Sequence, residues 1–198
     1  MKHDCKLTFD IRSFWHIGTG RGQGAHLDAI TRRDARGLPL LPGRSIKGLV
    51  RDAVHHAETL GWYPGHHDIT AELFGVRGAD GAETRPATLR FSDATLPADV
   101  ADYLADRADL REQLFRPLFS TAIDHDSGTA RESSLRGMEA VIPLQLSATI
   151  QPLADCSPLG YDWREIIRRA LPLIRGIGAD RSRGLGRAIV TLEENRAC

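Results

Sequence analysis

Residues 37–54 read GLPLLPGRSIKGLVRDAV, and this stretch decides the fold. Pro39 and Pro42 fix their φ angles and keep the segment extended up to Gly43. After Gly43, apolar residues recur at helical spacing and predict an amphipathic helix with one buried stripe: Ile46, Leu49, Val50, Ala53, Val54, Ala57 and Leu60. The start of this helix carries Arg44, Ser45, Lys47 and Arg51, where acidic residues are usual. The pattern predicts either a phosphate-binding helix start or a helix with a solvated basic edge.

The composition is that of a soluble globular protein, with 41% hydrophobic and 26% charged residues. A length of 198 residues predicts one domain, 1–198, with insertions at about 61–87 and 95–140. No apolar run is long enough to span a membrane, and the N-terminus lacks the apolar core of a signal peptide. The three cysteines are widely separated, so we expect a cytoplasmic protein with reduced thiols.

The formal net charge of zero argues against a general nucleic-acid coating protein, but it conceals segregated charge. Residues 32–51 hold six bases and one acid, and residues 164–187 hold seven bases and two acids. Residues 93–112 reverse the balance, with six acids and two bases. Two basic zones and one acidic zone suit a polyanion on one surface and a protein neighbour on another, although each run taken alone can be simply solvated.

Alternating hydrophobicity predicts strands at about 6–17, 88–93, 142–151 and 187–192. A second apolar stripe predicts a helix over about 163–174, which Pro172 should kink or end. Residues 97–115 suit an acidic surface helix. With the insertions set aside, the order is β-α-β-β-α-β, the ferredoxin-like (RRM-like) plan of an α+β protein. The strands lack the clustered aromatics of an RNA-recognition sheet, so bound RNA would contact loops and cations.

Three stretches resemble the RAMP superfamily of CRISPR-associated proteins. They are residues 37–54 with the preceding strand ending in WHIGTG, the central IDHDSGTARESSLRGMEAV, and the C-terminal GIGADRSRGLGRAIVTL. Within the superfamily, the chain is most similar to the repeated backbone subunit of type III effector complexes. The resemblance implies copies stacked along a guide RNA, each sending a thumb-like hairpin into the guide–target duplex. It also implies an aspartate that cuts the complementary target RNA with a divalent metal.

The resemblance assigns roles to particular residues. Asp28, in HLDAITRRDARGLPLLPG, corresponds to the catalytic aspartate and would hold Mg²⁺ or another divalent metal, with His26 as a possible accessory. Read without the resemblance, Asp28 is a turn-capping carboxylate. The guide-RNA contacts would be Arg44, Ser45, Lys47, Arg51, Arg181 and Arg183. Residues 123–138 would be the thumb, with three apolar candidates for wedging against a base: Ile123, Leu135 and Met138. For Ile123, ordinary packing at the base of the insertion is an equal alternative.

The predicted function is that of a guide-RNA-binding backbone subunit with metal-dependent endoribonuclease activity in antiviral defence. Its expected partners are guide RNA, complementary target RNA, copies of itself and other CRISPR effector subunits, with no membrane. One alternative is a non-catalytic structural or terminal RAMP subunit. Another is a ferredoxin-like nucleotide-binding enzyme using the glycine-rich loop at 18–24, which is disfavoured because that loop does not open a helix. The adjacent His66 and His67 are interpreted as surface residues rather than a zinc site.

Overall fold

Alternating apolar residues near the start of the chain form the strand around which the other elements are arranged. The structure, a computed structural model, describes residues 4–22, 27–76, 78, 84–153 and 160–194. The helices and strands in chain order are β1 (Cys5–Ile11), α1 (Gly43–Thr59), α2 (Ile69–Phe74), β2 (Leu89–Phe91), α3 (Ala98–Ala105), α4 (Ala108–Glu112), β3 (Phe115–Ser120), β4 (Arg136–Val141), β5 (Leu144–Pro152), α5 (Trp163–Ala170) and β6 (Ala188–Glu194). The protein is therefore mixed α+β, as the sequence predicts.

The larger sheet has four strands in the order β2-β5-β1-β6, and every neighbouring pair is antiparallel. Phe9 in β1 lies opposite Leu146 on one side and Val190 on the other, and all three are buried. The alternate residues form a second, more exposed face, on which Thr8 lies opposite Ser147 and Thr191. That face carries no aromatic side chain from any of the four strands, as the sequence predicts.

Helix α1 follows the predicted stripe. It buries Ile46, Val50, Ala53, Val54 and Ala57 in the same core as the inward residues of β1. Its last predicted member, Leu60, lies just past the helix end and is exposed. Burial of each aliphatic side chain contributes about 1.5–3 kcal/mol, so this stripe is a large part of the driving force for the fold.

Helix α5 covers the same core with Trp163, Ile166, Ile167 and Ala170. Asp162 caps its start, because the Asp162 carboxylate accepts a hydrogen bond from the Arg164 N–H at 3.0 Å. The helix ends at Ala170, and a 3₁₀ turn over Leu171–Leu173 contains Pro172. The prediction that Pro172 ends the helix is confirmed. None of the described helices has the length and apolar character needed to cross a membrane.

The first predicted strand, 6–17, is too long, because β1 ends at Ile11. After Ile11 the chain leaves the sheet, and Trp15 is fully buried in the core. The Trp15 indole N–H donates to the Ile142 carbonyl at 3.2 Å. Trp15 also forms an isolated antiparallel bridge with Val141. The alternating apolar residues that predict one continuous strand therefore fall into two groups: those up to Ile11 lie in β1, and Trp15 is buried outside that strand.

The predicted acidic helix over 97–115 is also wrong in extent. It forms two short helices, α3 and α4, separated at Arg107, whose φ of −118° and ψ of 82° are not helical. The Arg107 guanidinium lies 3.9 Å from the centre of the Tyr103 ring and so contacts the helix that ends just before it. Phe115 is buried and begins a strand instead of ending a helix.

Strands β3 and β4 form a second, two-stranded antiparallel sheet and pair from Phe115 opposite Val141 to Ser120 opposite Arg136. The hairpin that they form continues outward through a bridge between Ile123 and Ala130. The sequence does not predict β3, because Pro117 within it argues against a strand; a two-stranded hairpin accommodates proline at its edge. The predicted thumb, 123–138, is thus the outer part of a hairpin over 115–141.

Candidate nucleic-acid interface

A groove of about 560 Å³ lies along one flank of α1, and we call it the first groove. Arg44, Lys47 and Arg51 occupy this flank because they are separated by three or four residues in the helix. Arg85 reaches the groove from the loop before β2, held by reciprocal backbone hydrogen bonds with Val76 at 2.9 and 3.0 Å. Among the described residues, the lining contains four cations and no acid. The predicted cluster is therefore brought together, and Arg85, which the sequence analysis missed, joins it.

The start of α1 differs from the prediction in one respect. The N–H of Gly43 is not free, because it donates to the Asp93 carboxylate at 2.7 Å. Asp93 supplies the acidic cap that the local sequence lacks, so this amide is not available to a phosphate. Ser45 lies on α1 but is not among the residues that line the first groove. The cationic surface at this helix start therefore consists of side chains and does not include the first amide.

The opposite flank of α1 forms a second groove of about 380 Å³. Arg181 lines it together with Arg175, while Asp52 and His56 contribute from α1. Arg183 does not line this groove; its guanidinium lies 3.6 Å from Asp180, and it is highly exposed. The two predicted cation clusters therefore lie on different sides of one helix, with Arg183 further out on the surface.

The loop that carries these arginines packs tightly against the segment after β1. Gly178 and Gly186 have φ values of +75° and +67°. A Cβ on Gly178 would lie 2.2 Å from the His16 carbonyl oxygen, and a Cβ on Gly186 would lie 1.9 Å from that of Ile177. The Gly186 N–H donates to Phe14 at 2.7 Å. These two glycines are required by close backbone approach, and they fix the position of Arg181.

Gly186→Ala should lower the free energy of unfolding by about 2 kcal/mol, because the new Cβ combines a steric clash with a positive φ. Urea denaturation measures this difference. Gly184→Ala is the matched control, since Gly184 has a φ of +90° but nothing within 4 Å of its Cβ position. We expect that control to cost about 1 kcal/mol, from backbone strain alone. Equal losses in the two variants would show that the close approach does not matter.

Asp28 lies where residues 27–31 meet the base of the hairpin. The Asp28 N–H donates to the Gly137 carbonyl at 2.8 Å, and the Gly137 N–H donates to Asp28 Oδ2 at 2.8 Å. Asp28 is exposed, and its Oδ1 has no hydrogen-bond partner among the described residues. The carboxylate therefore caps a backbone amide on the hairpin while one oxygen remains open to solvent. His26 lies outside the described residues.

Residues 18–22 form the other side of this segment. Gly18 and Thr31 form an antiparallel bridge, and the Ile30 N–H donates to the Arg21 carbonyl at 3.1 Å. A Cβ on Gly22 would lie 2.8 Å from the Leu27 carbonyl oxygen. This described part of the glycine-rich loop therefore packs its backbone against residues 27–31 and supports Asp28.

Glu139 in β4 joins the hairpin to the Asp28 segment, and the sequence analysis missed it. Its Oε2 accepts the Thr31 N–H at 3.0 Å, and its Oε1 accepts from the Arg33 guanidinium at 2.6 Å. The Arg33 guanidinium also lies 3.7 Å from the centre of the Phe115 ring. The Glu139 carbonyl accepts a 2.6 Å hydrogen bond from His16 Nδ1–H, which places this histidine in the core. A charged residue inside the apolar run 138–142 is the sequence signal for such a buried anchor.

The outer part of the hairpin exposes apolar side chains. Ile123 and Leu135 are 56% and 69% exposed. The alternative prediction, that Ile123 packs at the base of the insertion, is therefore wrong. Met138 is half-buried. Phe119, which the sequence analysis did not single out, is 59% exposed. At the tip, hydrogen bonds from Ser127 hold the pKa of the Asp124 carboxyl below its usual range. The hairpin is an ordered structure with an apolar surface that the protein core does not cover.

Metal-binding residues are sparse. Among the described residues, no group of three or more His, Cys, Asp or Glu side chains is close enough to hold a metal ion. His66 packs edge-on against the Tyr161 ring, with 5.2 Å between ring centres. Within the described ranges, Asp28 therefore does not belong to a cluster of three or more metal-binding side chains.

With this geometry established, comparisons identify the family. The model of the RAMP superfamily matches residues 8–189, which is nearly the whole chain. The chain belongs to the RAMP superfamily. The resemblance inferred from its three sequence motifs is thereby confirmed. A search of the curated proteins found no match.

Solved structures show that this RAMP chain shares its fold with two others determined by cryo-EM. One is a chain of type III-B Cmr-beta in the apo state, with 13% identity, a TM-score of 0.65, and coverage of 98% of this chain and 97% of that one. The other is a chain of type III-B Cmr-beta bound to cognate target RNA, with 12% identity, a TM-score of 0.68, and coverage of 96% of each chain. At such low identity the likeness establishes the fold, and the function must be argued from the surface of this chain.

Proposed function

We propose that this chain is a guide-RNA-binding subunit of a type III CRISPR effector complex. The observation that carries the proposal is the first groove, where Arg44, Lys47, Arg51 and Arg85 meet with no acid among the described lining residues. Asp52, which does not line this groove, pairs with Arg51 at 3.2 Å. Phosphate contacts of this kind give affinity without reading sequence, which suits a subunit that must accept any guide. The shared fold with Cmr-beta bound to cognate target RNA adds support. Arg181 and Arg183 would extend these contacts on the other side of α1.

We propose a ferredoxin-like plan for the core. With α2, α3, α4 and the β3–β4 hairpin set aside, the order is β1-α1-β2-β5-α5-β6, and the sheet places β5 and β1 in the middle. We take 1–198 as one RAMP domain, with 61–87 and 95–140 as insertions. Because this fold serves many functions, the grooves and the hairpin carry the functional argument.

The proposed partners are guide RNA, complementary target RNA, copies of this chain and other CRISPR effector subunits. The acidic residues of α3 and α4 line neither groove, so they lie apart from the cationic side chains of the first groove. Two contacts join the acidic zone to the first basic zone: Asp102 pairs with Arg36 at 3.0 Å, and Asp93 accepts the Gly43 N–H. Such separation suits a polyanion on one surface and protein neighbours on another.

We further propose that Asp28 is catalytic and that the assembled complex cleaves target RNA as a metal-dependent endoribonuclease. Phe119, Ile123 and Leu135 expose apolar surface on the same hairpin that Asp28 contacts, and they would displace a base from the duplex. An unstacked nucleotide can reach in-line geometry. Its 2′-hydroxyl would lose a proton to water and bond to the adjacent phosphorus, while the bond from phosphorus to the 5′-oxygen breaks and that oxygen takes up a proton from water. The products would be a 2′,3′-cyclic phosphate and a 5′-hydroxyl.

Asp28 fits a single carboxylate ligand of hydrated Mg²⁺ or another divalent ion, because Oδ1 has no hydrogen-bond partner among the described residues. When bound, such an ion would stabilise the negative charge that develops on the phosphate oxygens. Asp28 would hold the ion beside the displaced nucleotide, and the Gly137 N–H would fix the orientation of the carboxylate. His26 remains the proposed accessory.

A non-catalytic structural or terminal subunit is the second candidate. It is favoured by the hydrogen bond from the Gly137 N–H to Asp28 Oδ2, which gives the carboxylate a structural role by itself. A nucleotide-binding enzyme has less support, because residues 18–22 pack against residues 27–31.

RNA binding by the first groove is tested with Lys47→Ala and Arg51→Ala. Each change should reduce the slope of log affinity against log salt by about 0.7, the value for one phosphate contact with a single strand. The double variant should bind a fluorescein-labelled guide RNA about 25-fold more weakly at about 0.1 M salt. Fluorescence anisotropy measures both quantities. Lys6→Ala, on the exposed face of the sheet, is the control and should leave binding unchanged. An unaltered salt slope in the double variant would remove this groove from the RNA interface.

A further inference from the structure

A third groove, of about 550 Å³, lies between residues 171–175 and strand β6, and we call it the β6 groove. Arg12, Arg175 and Arg187 line it, and its apolar lining comes from Leu171, Ile174 and the middle of β6. Strand β6 is at the edge of the four-stranded sheet and pairs only with β1 among the described strands. No role has been assigned above to Arg12, Arg175 or Arg187.

The backbone holds the three arginines in a fixed relation. The Arg12 N–H donates to the Arg187 carbonyl at 2.7 Å, and the Ala188 N–H donates to the Arg175 carbonyl at 3.2 Å. The Arg187 N–H donates to Ser13 Oγ at 2.9 Å. Three chain segments are therefore joined directly beside the groove, which makes it a preformed feature of the fold.

The charge of the β6 groove is positive. No acidic residue lines it. Arg12 forms an ion pair with Asp10 at 2.8 Å, whereas Arg175 and Arg187 have no ion pair within the described part of the chain. Two uncompensated guanidinium groups above an apolar surface suit a ligand that carries both phosphates and a planar apolar part.

The β6 groove adjoins the second groove, because Ile174 and Arg175 line both. Arg181 lines the second groove together with Asp52, and Arg187 lines the β6 groove. Arg175 is therefore shared by two adjoining surfaces, each of which carries a further arginine. The apolar lining of the β6 groove distinguishes it from the purely polar contacts expected of a phosphate path alone.

We propose that the β6 groove binds a single-stranded segment of RNA, with phosphates on Arg175 and Arg187 and a base against Pro172 and Ile189, the exposed apolar residues of its lining. This inference rests on the proposed RNA-binding function and extends it to a site beyond the guide contacts along α1. The volume of the groove is in the range of sites that hold a small ligand such as one nucleotide. The contacts read no base edge, so the site accepts any sequence.

The test uses the full chain and a fluorescein-labelled oligouridylate, with fluorescence anisotropy over a salt series. Arg175→Ala/Arg187→Ala should weaken binding about 25-fold at about 0.1 M salt and reduce the salt slope by about 1.4. Arg90→Ala is the matched control, since Arg90 is an exposed arginine on β2, at the opposite edge of the sheet. Arg175→Lys/Arg187→Lys keeps the charge and should retain most of the affinity. Thermal unfolding of each variant confirms that the fold is intact.

The outcomes separate this inference from the proposed function. If Lys47→Ala/Arg51→Ala loses binding but Arg175→Ala/Arg187→Ala does not, the β6 groove is not an RNA site and the proposed function stands. If the wild-type chain binds no RNA, the proposed function fails first. The last measurement tests an acidic protein partner, by titrating a labelled oligoglutamate peptide with the same variants. Binding of that peptide through Arg175 and Arg187, with no effect of these residues on RNA, would assign the groove to an acidic protein neighbour and overturn the inference.

Discussion

Asp28→Ala should reduce cleavage of complementary RNA by the assembled complex about a thousandfold, while guide-RNA binding stays within a factor of about two. The loss is large because Asp28 would supply the carboxylate that holds the metal ion at the cleavage position. Asp28→Asn is the sharper variant, since an amide oxygen can still accept the Gly137 N–H but the negative charge is gone. Single-turnover cleavage in Mg²⁺ measures both variants.

Asp34→Asn is the matched control for this experiment. Asp34 lies in the same part of the chain, and its carboxylate accepts the backbone N–H groups of Arg36 and Leu38, each at 2.8 Å. We expect cleavage to be nearly unchanged in this control, because an amide can accept such bonds. Wild-type cleavage by Asp28→Asn would assign Asp28 to capping alone. No cleavage by the wild type would favour the non-catalytic subunit.

Glu139→Ala should lower the free energy of unfolding by about 3 kcal/mol. The change removes an ion pair with Arg33 and leaves the buried Thr31 N–H without its acceptor. Urea denaturation measures the loss. Glu132→Ala, an exposed glutamate on the same hairpin, should cost less than about 0.5 kcal/mol. Similar stability of the two variants would show that the Glu139 contacts do not hold the hairpin in place.

Glu139→Gln adds a functional measurement. Glutamine retains one acceptor for the Thr31 N–H but loses the charge that pairs with Arg33. Because Glu139 lies two residues from Gly137, we expect this variant to reduce RNA cleavage more than RNA binding. Equal reductions in both would indicate general destabilisation.

The elements that the sequence predicts well are those with local causes. The stripe of Ile46, Val50 and Ala57 forms a helix because neighbours three and four residues apart share one face. Pro172 ends α5 because it has no backbone N–H to donate and because its ring would clash with the carbonyl four residues before it. The family, too, follows from short motifs along the chain.

The residues that sequence reasoning missed depend on distant partners. Asp93 caps α1 from 50 residues away, and Glu139 binds Thr31 from 108 residues away. Arg85 lies in a polar glycine-rich loop, and only the bridge to Val76 directs it toward α1. The end of β1 was misplaced because Trp15 alternates correctly with Ile11 but packs elsewhere. No local periodicity encodes these contacts.

Both the first and the second groove use α1 as a wall, and this has a thermodynamic consequence. The inner face of α1 is buried, so the helix cannot rotate or bend without opening the core. The two grooves are therefore held apart by about the diameter of one helix, about 10 Å. On our proposal, a polyanion that spans both grooves would contact Lys47 and Arg51 in the first and Arg175 and Arg181 in the second. The protein backbone would lose little conformational entropy on binding, and the remaining loss would come from the long cationic side chains and from the polyanion.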